Sequence, residues 1–164
     1  MTEGRPRLVV VVSWHHGNTA WVARAMADAL VARVVTPAEV SPAEIGGYEV
    51  VGFGSGIYSG KHHEDLLALA DRLSYVKDVR GFIFSTNGVP ARFMGGESMQ
   101  RYMQRYHTPL RERLLVKGVE IVGEFTCSGF NTNSFLRLFG GVNKGRPDSK
   151  DLQRASMFAD GLRR

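Results

Sequence analysis

Cysteine is nearly absent from this 164-residue chain: Cys127 stands alone. No disulfide can form within the chain, and a reducing cytoplasm is the expected setting. Long apolar runs are missing too, and none approaches the ~20 residues that a membrane-spanning helix needs. The opening MTEGRPR carries no hydrophobic signal core, so residues 1–7 are expected to be a flexible tail before one domain over 8–164. There is no internal repeat and no low-complexity tract. Lys and Arg number 21 against 16 Asp and Glu, a formal charge of +5 that favours anionic partners such as phosphates or acidic proteins. Yet the bases (Arg5, Arg7, Arg72, Arg111, Arg113, Arg154) are scattered and form no stripe interleaved with aromatics, which argues against nucleic acid.

What is present is alternation. Short apolar runs at 8–13, 33–36, 49–54, 81–85 and 119–125 read as buried strands. Helical periods separate them: Val22, Met26, Ala29 and Leu30 share one face, and Leu66, Leu69, Ala70 and Leu73 another. A third helix is expected after Pro109, with Leu110, Leu114 and Leu115. A last one starts at Asp148 as N-cap, with Asp151 three residues on and Leu152, Ala155, Ala159 and Leu162 facing inward. Strands alternating with helices predict an α/β three-layer sandwich with a parallel sheet of five strands. The order 2-1-3-4-5 is favoured, with a ligand crevice at the carboxyl ends of strands one and three.

Three segments must then emerge at one edge of the sheet: SWHHGNT (13–19), GSGIYSGKHH (54–63) and STNGVPARF (85–93). In the first, a helix starting near Asn18 offers free N–H groups and a partial positive charge. Gly17 lets the backbone approach a phosphate, and Asn18 and Thr19 add side-chain hydrogen bonds; an ordinary turn with an N-cap fits the same residues. In the second, glycines surround Tyr58, a flat ring beside the crevice that suits stacking on a planar ligand. Small polar residues, Ser85 to Gly88, fill the third. A phosphate at the first segment and a planar heterocycle between the other two is the layout of an FMN site.

On GNT (17–19), GFGSGIYSGKHH (52–63), FIFSTNG (82–88) and GEFTCSGFNTN…GGVNKGRPDSKDLQRASMFA (123–159), the chain resembles the flavodoxin-like FMN proteins over nearly all of its length after residue 7. The resemblance implies a flavodoxin-like fold, non-covalent FMN, one- or two-electron chemistry at the flavin N5 and a cytoplasmic redox role. It implies cofactor contacts from Ser13, His15, His16, Gly17, Asn18 and Thr19; from Gly54, Ser55, Gly56, Ile57 and Tyr58; and from Ser85, Thr86, Asn87 and Gly88. Tyr58 would cover one flavin face, with Asn87 and Gly88 approaching the other.

Three departures stand out. Trp14 and His16 replace two hydroxyl residues of the family's phosphate loop, with Ser13 a substitute for one. The chain is basic where flavodoxin shuttles are acidic. Residues 89–108 are long for a connection, and Met99, Tyr102, Met103 and Tyr106 recur there at helical spacing; a core face, a lid, a partner surface and a homodimer contact are the readings. The pairs His15–His16 and His62–His63 lack a supporting Asp, Glu or Cys at ligand spacing, so no metal is expected. Cys127 lacks the arginine five residues on that a phosphatase loop needs, and reads as a buried wall. The acidic positions of a phosphoacceptor receiver are occupied by SWHH and GSG. Two functions follow: a carrier passing electrons between redox partner proteins, or an FMN-dependent reductase or oxidase of a quinone or porphyrinogen-like acceptor.

Overall fold

The structure is a computed structural model that describes residues 4–14, 16–132 and 140–164. Five parallel strands lie in the order β2-β1-β3-β5-β6: β1 (Arg7–Val12), β2 (Arg33–Val35), β3 (Val50–Tyr58), β5 (Arg80–Asn87) and β6 (Glu120–Ser128). This is the expected order, and the fold is the flavodoxin-like three-layer sandwich. One strand was not foreseen. β3 runs to Tyr58, turns at Ser59 and Gly60 with φ of 50° and 78°, and returns as β4 (Lys61–His62), antiparallel to it. Gly54 to Tyr58 is therefore strand, not loop, and so is Ser85 to Asn87.

The physical reason is packing across strands. Gly52 and Gly54 of β3 lie in register with Phe82 and Phe84 of β5. A Cβ built on either glycine would collide with the phenyl ring opposite. Glycine's low strand propensity gives way to what its neighbour can bury. β1 alternates in the same spirit: Leu8 and Val10 face one core with Val51, Phe53 and Ile83, while Val9 and Val11 face the other with Phe82 and Phe84.

Helices cover both faces. α1 (Asn18–Leu30) buries Val22, Met26 and Leu30, and packs beside α5 (Ser149–Asp160), where the Ser156 hydroxyl donates to Ala25 O. α2 (Glu64–Arg72) and α4 (Thr108–Val116) close the opposite face with Leu66, Leu69, Leu110 and Leu114. α3 (Glu97–Tyr106) occupies the 89–108 segment; Met99, Tyr102, Met103 and Tyr106 are only half-buried. Among the described residues no helix is long and apolar enough to cross a membrane.

Candidate functional site

At the carboxyl edge of the sheet, β1 leads through Ser13 and Trp14 to Gly17, whose φ of 69° places it in the left-handed region and sets the entry to α1. No side chain caps the first helical turn directly at Gly17. Instead the Ser13 hydroxyl accepts from Ala20 N–H at 3.1 Å, which ties it to the first turn of α1. The turn thus presents the positive end of a 13-residue helix to the cleft. Thr19 and Thr86 hydroxyls meet at 2.8 Å, tying the helix start to the end of β5. Asn18 donates to Phe130 O at 2.9 Å, and a Cβ on Gly129 would come within 2.7 Å of its amide nitrogen. His16 lies 2.8 Å from the Thr132 hydroxyl and packs its ring on Phe130 at 4.5 Å.

A polar cleft of about 90 Å³ results. His16, Asn18, Thr19, Gly56, Ile57, Tyr58, Thr86, Asn87 and Gly88, all expected from sequence, line it. Gly17 is not among the lining residues and only sets the turn into α1. Gly54, Ser55 and Ser85 do not reach it: Gly54 lies beneath Phe84, Ser55 bonds His63 N–H and Gly56 O, and Ser85 faces His107. His15 lies outside the described residues. Asn87 is buried, its side chain donating to Thr126 and Cys127 O and accepting from Val89 N–H, so it sets the shape of the 87–89 turn. Trp14 and Tyr58 also bound an adjoining hollow of about 410 Å³ over Ser59, Lys61 and His63. There the Trp14 indole stacks on His63 at 5.8 Å and 17°.

The flavodoxin domain model matches residues 9–120. The chain belongs to the flavodoxin domain family. An uncharacterized protein of Methanocaldococcus jannaschii is 41% identical over 155 residues, covering 94% of this chain and 96% of its own. A short-chain flavodoxin associated with a bacterial microcompartment superposes with a TM-score of 0.65 at 16% identity, over 96% of each chain. A Fusobacterium nucleatum flavodoxin bound to flavin mononucleotide gives 0.59 at 13% identity, over 95% of this chain and 96% of that one.

Two features of this flavodoxin-family chain escaped sequence reasoning. Gly129, Phe130, Asn131 and Thr132 close the cleft from the β6 side. Their small polar composition after a strand is the signal shared by the other three segments. The second is a buried polar network behind the cleft. His107, at the α3–α4 junction, places Nε2 2.7 Å from the Ser85 hydroxyl, and its Nδ1–H donates to Glu124 at 3.0 Å. Arg111 also holds Glu124, through Nε and Nη2. Burial would raise the Glu124 carboxyl, but hydrogen bonds from His107 and Arg111 outweigh it and hold the group at about 2. Burial pushes both imidazoles the other way: His107 is lowered, and His62, 1% exposed and 4.9 Å from it between ring centroids, falls to about 3. Of the described histidines of the two sequence pairs, His16 lines the cleft and His63 stacks under Trp14. His62 is inside the fold, and among the described residues no group of three or more His, Cys, Asp or Glu could hold an ion. Cys127 is 1% exposed, and burial pushes its thiol up to about 12, which leaves it an inert wall.

Proposed function

We propose that this protein binds FMN non-covalently at the polar cleft and transfers electrons through it. The observation that carries the reading is the convergence of the α1 N-terminus, held by Gly17, with the ends of β3 and β5 at one point of the sheet edge. The residues fit the group. First-turn N–H groups of a helix lack intrahelical partners, so those near Asn18 and Thr19 suit a phosphate dianion. The cleft and the hollow it shares with Trp14 and Tyr58 together reach the ~300–1,000 Å³ of cofactor sites. When bound, the flavin supplies one- or two-electron chemistry at N5. The protein's share is to hold and shield. Trp14 and Tyr58 offer aromatic surface, Thr19 and Thr86 lock the helix start to β5, and the peptides of Gly56 and Gly88 offer edge hydrogen bonds. A single buried cysteine suits a reducing cytoplasm.

Flavin fluorescence tests the reading. Added FMN should be quenched to a saturating end point, and riboflavin, which lacks the phosphate, should bind at least about tenfold more weakly. Equal affinities would remove the phosphate role of the α1 terminus, and no quenching of either would sink the flavin reading. A second reading, an FMN-dependent reductase of a small planar acceptor such as a quinone, is favoured by the hollows opening beside Trp14. Sustained quinone reduction driven by NADH, with no partner reductase present, would select it over a carrier that serves redox partner proteins.

A further inference from the structure

β2 is unusually short, and its shortness opens a second cavity. Its register with β1 ends at Val10 against Val35, so Val11 and Val12 have no strand beside them on that side. The chain instead folds into a 3-10 turn at Pro37–Glu39. Small side chains, Ala38 on the turn and Ala68 on α2, face the gap and leave a hollow of about 470 Å³ floored by Val11 and Val12. Trp14, 59% exposed, closes one side, and the same residue bounds the polar cleft. Its stacking on His63 holds the indole in place while leaving it open to the hollow.

The charges in this cavity are separated. Arg72 donates only its Nε, to Ala68 O at 3.3 Å, and among the described residues it meets no carboxylate. Asp65 is turned toward His63 Nδ1 at 3.6 Å. The two stand seven residues apart on α2, about 10 Å along the helix axis. A ligand here therefore finds a flat aromatic wall and an apolar floor, with Arg72, the cation among the described lining residues, at the end away from Asp65.

We propose that this hollow is a second ligand site, for a planar aromatic carboxylate of two or three fused rings. The rings lie on the Val11–Val12 floor against Trp14, and the carboxylate pairs with the Arg72 guanidinium, which is shaped for bidentate contact. The proposal does not depend on flavin at the neighbouring cleft.

Anthraquinone-2-carboxylate, a planar acid that quenches indole emission, is the probe, titrated against the tryptophan fluorescence of the full chain. Saturable quenching is expected, with most of it lost in Trp14→Phe, which keeps Trp21 as the remaining indole. Arg72→Gln should weaken the acid at least about tenfold while leaving anthraquinone-2-carboxamide unchanged. Ala68→Trp, a change at an exposed helical position, should fill the cavity and abolish binding with the melting temperature retained. The proposal is overturned if the acid gives no saturable quenching, if Arg72→Gln binds acid and amide as the wild type does, or if binding survives Ala68→Trp.

Discussion

At the scale of single residues, the buried histidines carry the sharpest consequence. The His62 Nε2–H donates to Phe84 O at 3.0 Å, and Nδ1 has no partner among the described residues. A buried acceptor without a partner is tolerable only while the ring is neutral. The sign follows from linkage. Unfolded, an imidazole takes up its proton near 6.5; folded, His62 resists until about 3. The unfolded chain thus binds more protons below 6.5, so stability is full above that pH and declines as pH falls toward 3. His107 is lowered too and acts in the same direction. Glu124 adds its share later, between about 4.5 and about 2. Urea denaturation should show lower stability at pH 5 than at pH 7.5, with a slope of up to about 1.4 kcal/mol per pH unit for each proton. His62→Phe should flatten part of that slope; an unchanged profile would falsify the neutral, buried assignment.

Elements differ in how much of them is local. α5 begins where sequence places it because its cap is self-contained. Asp148 accepts from Asp151 N–H at 2.9 Å, and Asp151 returns the bond to Asp148 N–H at 3.0 Å. The two carboxylates nonetheless have unequal work. Asp151 is fully buried and also receives Arg146 at 2.8 Å, whereas Asp148 is partly open. Asp148→Ala should cost about 1 kcal/mol, the usual loss of an N-cap. Asp151→Ala should cost more, roughly 2–3 kcal/mol, because a charged hydrogen bond is lost with the cap. Chemical denaturation of the two variants side by side checks the order. β3 is the opposite case. Nothing in GSGIY by itself calls for a strand, and the segment is one because Phe84 fills the space over Gly54, the Tyr58 ring lies over Gly56, and β1 and β5 flank it. α3 lies between these cases: its spacing of Met and Tyr is helical, but only contact with β6 and α4 settles that it lies half-buried on the fold.

For the whole molecule, two cores share one sheet, and neither face is closed without helices from distant parts of the chain. α1 packs on α5 across more than a hundred residues of sequence, and Arg5 near the start bonds Gly46, Tyr48 and Asp78 carbonyls. Such interlocking predicts one cooperative unit. Unfolding followed by tryptophan emission and by far-ultraviolet circular dichroism should give coincident curves, and separated midpoints would show that the two faces melt independently. Sequence by itself determined the alternation of strand and helix, the strand order, the Asp148 cap and the Gly17–Thr19 turn, because periodicity, capping and glycine conformation are read over a few residues. Tertiary structure decided the rest. Whether Ser85 faces a ligand or His107, whether β3 stops at Gly54 or continues to Tyr58, and that residues 129–132 close the cleft all depend on partners 22 to 116 residues away. A hollow exists beside Trp14 because β2 ends early against β1, and only the packed sheet contains that gap.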